Sequence, residues 1–438
     1  MADLTVQPLP SAFLPSRFSR AMFWATRGSL ALMDQGLIAA SNFGIGIVLA
    51  RSLSPQEYGS YALAYAIFLL LSLAYQAIVL EPQRVFGSTL FENSQRGYFR
   101  ALLRIHSGLG LGTGFVLGGL ALLLHILRPT ALPAALAGVM IAAPCVLLLW
   151  LLRGAFYVRM SPQNAVAGSS VYCAVLLIGM AVLYYLRQLS AFGAFVAMAI
   201  AALVGSVVLL IRFRLLARSD QELVGWKDVS LKHWEYGRWI LLSSFLTWLS
   251  GDVYYPLVSS MSGMAAAGDL RALLNFSLPI AQALNALTVF TVPYAARVYQ
   301  TAGLSALLAA IRKIGAVFVA IAVCYWAVVV VFNKPIMDAL YRGTYADVAS
   351  LLPLIAIGSL PWNFAYVPTI AFRAFRSSVS LLVIYCVSSA ISLGIGIPAT
   401  RMYGLRGTLW AMILSYAAAL VTALMLLWRK VQADRVTE

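Results

Sequence analysis

The chain is a succession of apolar runs, most of them roughly 20 residues long and nearly free of charge, joined by short polar segments. Twelve such runs are read at about 28–50, 59–80, 105–127, 131–152, 164–186, 191–211, 238–258, 270–292, 313–332, 349–371, 378–398 and 405–428. A run of that length matches the hydrocarbon thickness of a bilayer. Inside lipid every backbone N–H and C=O must be satisfied within the segment, so each run is expected to be a helix. The short alternating segments of a transmembrane barrel are absent. Composition agrees: 62% of the 438 residues are hydrophobic and 11% are charged, against about a quarter charged in a soluble domain. A soluble enzyme and a disordered chain are thereby excluded.

The basic residues are unevenly placed. With the N-terminus on the cytoplasmic side, only Arg51, Arg128, Arg187, Arg271, Lys334, Arg342, Arg401 and Arg406 of the 31 Lys and Arg fall on the outer side. The remaining 23 crowd the cytoplasmic segments, as the positive-inside rule requires of twelve spans with both termini inside. The net charge of +16 is accounted for in this way, and no nucleic-acid-binding pattern accompanies it. Residues 1–16 lack the apolar core of a cleavable signal, so the first run is expected to be an uncleaved helix.

The domain organisation expected is a cytoplasmic segment 1–27, a first six-helix bundle 28–211, a cytoplasmic amphipathic linker 212–237, a second bundle 238–428 and a tail 429–438. The linker carries Trp226, Lys227, Asp228, Lys232, Trp234 and Glu235, a composition suited to the membrane surface. A weak internal repeat supports the seam: an offset of 209 residues lays Gly59 on Gly268, each near the start of the second helix of its half. Two parallel six-helix repeats around a central cavity follow.

Charges within or beside the spans are costly and therefore informative. Asp34 and Asp252 are candidates for ion coupling. For Asp34 the alternative is a helix N-terminal dipole partner, and for Asp252 a structural pair with an arginine. Arg271 could meet an anionic head group through its planar fork or simply snorkel to the interface. Arg84, Arg153 and Arg297 close spans on the inner side and are substrate-contact candidates or topology anchors. Asn275 and Gln282, two turns apart, are expected on one face of a helix, lining an aqueous cavity or bonding neighbouring helices. The glycines of Gly108–Phe115 have GxxxG spacings and predict tight helix packing. Cys145, Cys173, Cys324 and Cys386 all lie in apolar runs and read as buried hydrophobes. No metal-binding spacing and no phosphate-binding glycine loop occurs, so no metal, cofactor or ATP-driven pump is expected.

The stretch Leu49–Leu63, LARSLSPQEYGSYAL, resembles the loop after the first helix of bacterial polysaccharide flippases. Ala50, Arg51, Leu53, Pro55, Glu57, Tyr58, Gly59 and Tyr61 carry the likeness. Asp252, Gly263, Gly268 and Arg271 resemble the second-half arrangement of that family, as do Gly404, Gly407 and Ala411 before the last span. The resemblance implies the fold shared by these flippases and the multidrug antiporters. It implies a substrate too: a polyprenyl-pyrophosphate-linked oligosaccharide moved across the bacterial inner membrane for surface polysaccharide biosynthesis. The expected partners are that glycan lipid, membrane lipids, and polysaccharide polymerase and export proteins. A cation-coupled drug antiporter of the same fold is the alternative, with Asp34 the first-half carboxylate it would need. A membrane glycan polymerase is a weaker one, because the longest outer loop, about 333–348, offers only Lys334, Asp338, Arg342 and Asp347.

Overall fold

The computed structural model describes residues 17–127, 130–216, 224–375 and 377–437. The expected segment 1–27 lies outside the described residues up to position 16, and so do positions 217–223 of the expected linker. The described residues are helical, with no strand among them. The first half comprises α1 (Arg17–Ser52), α2 (Pro55–Tyr75), a π-helical turn (Gln76–Leu80), α3 (Glu81–Gly87), α4 (Gln95–Leu127), α5 (Ala131–Val158), α6 (Pro162–Tyr185) and α7 (Ala191–Leu216). The second comprises α8 (Trp226–Gly251), α9 (Tyr254–Met261), α10 (Met264–Leu274), α11 (Ser277–Val331), α12 (Asn333–Tyr341), a 3-10 turn (Ala346–Leu351), α13 (Leu352–Ala374), α14 (Ser378–Gly394) and α15 (Gly396–Thr437).

All twelve apolar runs are helical, and nine helices among the described residues are long and apolar enough to cross a membrane. The chain is a polytopic helical membrane protein. α8 falls short of that apolarity because its first turns are charged, and α10 because the helix breaks after it. α11 and α15 each join two pieces across a kink, at Gly303 (φ 74°) and Gly404 (φ 56°). Both angles lie in the left-handed region that glycine enters without a Cβ penalty.

Helices α5, α6 and α7 pack on one another and on α1, α2 and α4, while α11, α13, α14 and α15 form the corresponding group in the second half. The two halves meet at two places. At one end of the bundle, α2 lies against α10, and the turns near Ser52, Leu189 and Arg342 gather. At the other end, the start of α8 lies against α4 and the π-turn of α2.

The start of α2 shows why the LSPQEYGSY stretch reads as it does. Ser54 caps the helix by accepting the Glu57 N–H at 3.3 Å, and Pro55 occupies the first turn. Glu57 Oε1 accepts the Ala191 N–H that opens α7, at 3.2 Å. Tyr58 accepts a hydrogen bond from Asn275 Nδ2 at 2.9 Å, and Gly59 lets α10 approach. The motif builds a helix start and a contact between halves.

Much of the expected linker is helix: α7 runs to Leu216 and α8 begins at Trp226, and Val229, His233 and Gly237, four residues apart, turn one buried face toward the first half. Two sequence expectations are corrected. The glycines of the 108–115 stretch of α4 are largely open: nothing lies within 4 Å of a Cβ built on Gly108, Gly112 or Gly114, while Gly110 packs on Pro144 and, a turn beyond Gly114, Gly118 packs on Met140. α4 instead presents Leu111, Phe115, Val116, Leu122 and Leu123 outward, a face fit for lipid. Cys324 and Cys386 are exposed on the bundle exterior rather than buried; all four cysteines are free.

Candidate functional site

A cavity of ≈490 Å³ lies between the halves. α1 supplies Gln35, Ile38, Ala39 and Asn42, whose spacing of three, four and seven residues is that of one helical face. α2 supplies Tyr65 and Phe68, and α5 supplies Trp150. From the second half come Asp252, Tyr255, Arg271, Ser277, Gln282, Asn363 and Tyr416. The wall is aromatic and amide-rich, with one cation and one carboxylate among its described residues.

Arg271 is the buried cation, 5% exposed. Its guanidinium carbon sits 4.7 Å from the centre of the Tyr65 ring and 5.9 Å from that of Tyr255, and Nη1 donates to the Tyr255 hydroxyl at 3.4 Å. Its Nε has no hydrogen-bond partner. Asp252 lines the same cavity, yet no basic nitrogen among the described residues comes within 4 Å of its carboxylate. It stands where α8 stops and α9 starts, on the turn that follows Gly251. Aromatic faces stabilise a cation through their quadrupole, and they leave the Arg271 Nε–H without an acceptor, available to an anion.

Asp34 is fully buried and tied down. Arg153 is ion-paired with Asp34 Oδ2 at 2.5 Å, the Tyr157 hydroxyl donates to the same oxygen at 2.5 Å, and the Ser169 hydroxyl donates to Oδ1. This cluster pins α1 to α5 and α6. It sits beside a smaller compartment of ≈190 Å³ that shares Gln35, Ile38 and Trp150 with the central cavity and is also lined by Gln76, Arg84 and Arg153. Arg84 is exposed and paired with Glu81 at 2.8 Å.

The structure thus brings Arg271, Asp252 and Gln282 together, and Arg84, Arg153 and Asp34 around the adjoining compartment. Asn275 is elsewhere: 1% exposed, it donates to the hydroxyls of Tyr58 and Tyr341, at 2.9 and 3.2 Å. The expected common face of Asn275 and Gln282 is lost because the helix tightens between them. Phe276 N bonds Leu273 O and Leu278 N bonds Asn275 O, both three residues back, so the register rotates. Arg297 is exposed and lines neither compartment. Sequence reasoning missed Tyr65 and Tyr255, which hold Arg271, and Tyr157 and Ser169, which hold Asp34. The α1 spacing of Gln35 and Asn42 is a signal that could have marked the cavity face; the tyrosines were indistinguishable from interface anchors.

No family model matches the sequence, and no curated protein matches it. Solved structures do. An inward-facing multidrug resistance MATE family transporter of the MOP superfamily has a TM-score of 0.77 at 13% identity, covering 92% of this chain and 96% of that one. The fold is the one such transporters have. An outward-facing conformation scores 0.67 at 14% identity over 94% and 96% of the two chains. A MOP superfamily transporter from Pyrococcus furiosus, described as having a binding pocket of reversed polarity that suggests a different function, scores 0.65 at 12% identity over 93% and 95%.

Proposed function

We propose that the chain is a gradient-driven membrane transporter whose substrate is an amphipathic molecule bearing an anionic group. The observation that carries this is Arg271: a buried cation with its fork unpartnered by any carboxylate, facing a cavity between two helical halves. A buried guanidinium to which no carboxylate is bonded is costly, and an anion delivered by the substrate supplies the direct partner that Asp252, across the same cavity, does not. The tyrosines, tryptophans and amides around it suit the rings and hydroxyls of a sugar or the rings of a small organic compound.

Two substrates fit that description, each with its own support. The likeness to multidrug transporters supports export of a small molecule. In that reading Asp252, the unpaired carboxylate of the cavity, exchanges the coupling cation; Asp34 is already neutralised by Arg153. The Ala50–Tyr61 resemblance and the anion-seeking Arg271 support a polyprenyl-pyrophosphate-linked glycan, moved across the inner membrane of a bacterium with both termini in the cytoplasm. Since the Ser54–Gly59 part of that stretch serves helix capping and packing, the resemblance bears on fold more than on substrate.

A strain lacking the gene separates the readings. Trapped lipid-linked repeat units on the inner membrane face, with lost surface polymer and restoration by wild type but not Arg271→Gln, support glycan flipping. Normal polymer with raised sensitivity to amphipathic anions or zwitterions supports the small-molecule exporter. Single repeat units accumulating on the outer face overturn transport in favour of polymerisation.

A further inference from the structure

A second groove, of ≈700 Å³, opens on the exterior of the bundle at the end where α1 meets α2. Three arginines from three separate elements converge on it: Arg51 from the end of α1, Arg187 from the α6–α7 turn and Arg342 from the end of α12. No acidic residue is among those lining it. Arg51 donates through Nε and Nη2 to the carbonyls of Leu340 and Ala339, which fixes its position, and among the described residues no carboxylate lies within 4 Å of Arg187 or Arg342. Both of the latter sit at positive φ, 56° and 52°, where a residue with a Cβ is uncommon; only one other non-glycine among the described residues does so. None of the groove's lining residues borders the central cavity.

Below the arginines the wall becomes apolar, with Leu177 and Met180 on α6. Leu177 precedes Tyr185, the last residue of α6, by eight residues, a depth of about 12 Å at 1.5 Å per residue. The apolar parts of α1 and α6 end where the arginines begin. The groove therefore runs from the head-group level into the hydrocarbon, cationic at the top and apolar beneath. A soluble anion has no use for that lower half.

We infer that this groove is a binding site for the phosphate head group of an anionic membrane lipid, with one acyl chain lying along α1 and α6. Planar guanidinium forks bond phosphate oxygens bidentately, and each basic residue at the surface strengthens attraction to an anionic lipid. The site is separate from the transport reading, and its test reads binding alone.

The full chain is placed in nanodiscs of equal phosphatidylglycerol and phosphatidylcholine, and co-purified lipids are counted by native mass spectrometry after release into detergent. Wild type is expected to retain phosphatidylglycerol preferentially. The variant Arg187→Gln/Arg342→Gln is expected to lose about fivefold in apparent affinity per arginine, while Arg187→Lys/Arg342→Lys keeps most of the preference and Arg406→Gln keeps all of it. Equal retention of the two lipids overturns the proposal, as does an equal loss in Arg406→Gln. Millimolar inorganic pyrophosphate distinguishes the source of the phosphate: retention in its presence supports a lipid, and complete displacement overturns the lipid in favour of a soluble anion.

Discussion

Gly59 on α2 and Gly268 on α10 face each other where the halves meet. A Cβ built on Gly59 would lie 1.7 Å from the Met264 carbonyl oxygen, and one on Gly268 would lie 2.4 Å from that of Pro55. The obstructing atoms are backbone, which cannot swing aside. The weak internal repeat that lays these glycines on each other thus pairs two residues in direct apposition. Gly59→Ala and Gly268→Ala are each expected to destabilise the fold by about 1–3 kcal/mol, the usual cost of overpacking, read as a lower melting temperature in detergent. Gly108→Ala, where the space is empty, is expected to be neutral or slightly stabilising. Equal effects at all three positions would refute the close approach.

The Asp34–Arg153 pair calls for a double-mutant cycle. Removing one partner leaves a buried charge alone, so Asp34→Asn and Arg153→Gln should each cost about 3–5 kcal/mol. The double variant should cost clearly less than the sum, because neither charge is then stranded. Additive losses, measured by thermal unfolding, would contradict the pairing.

Arg271 should behave in the opposite way. It is buried with no carboxylate bonded to it, so Arg271→Gln is expected to leave stability unchanged or raise it by about 1 kcal/mol while transport falls at least tenfold. That separation is the usual mark of a residue kept for function at the expense of stability. Arg271→Lys should restore only part of the activity, since an ammonium lacks the fork and the stacking plane. A large drop in melting temperature for Arg271→Gln would instead make it a structural residue.

His233, on the first turns of α8 before the apolar part, is 1% exposed. Its Nδ1 donates to the Ile78 carbonyl at 2.9 Å, so Nε2 accepts from the Tyr98 hydroxyl at 2.7 Å, a pairing that needs the neutral ring. Burial pushes its pKa down to about 4, against an ordinary value of 6.5. The unfolded chain therefore binds the proton more tightly between those values. The stabilising contribution is complete above about pH 6.5 and is lost as the pH falls toward 4. Melting temperature should drop through that window, and His233→Gln should flatten part of the drop; an unchanged acid profile in the variant would place the sensitivity elsewhere.

How much was legible differs by residue. The helices were, because 20 apolar residues in lipid have one solution for their backbone. Arg271 and Asp252 were marked by the cost of charge near the membrane, and Gln282 by its amide in an apolar run. Asn275 was not separable from Gln282, since the tightening at Phe276 depends on how α10 and α11 are pulled against α2 and α12. The GxxxG glycines of α4 carried a spacing but no indication that Gly110 alone of the four would meet a neighbouring helix, while Gly108, Gly112 and Gly114 face open space.

The sequence by itself determined a bundle of membrane-spanning helices in two halves, because hydrocarbon length and backbone hydrogen bonding act locally along the chain. Partners were decided only in three dimensions. That Asp34 is ion-paired with Arg153, that Arg271 rests on Tyr65 and Tyr255 with no carboxylate bonded to it, and that Arg51, Arg187 and Arg342 converge on one groove all depend on helix rotation. Rotation is set by packing between neighbours, and in these helices, apolar on nearly every face, the sequence pattern alone does not specify it.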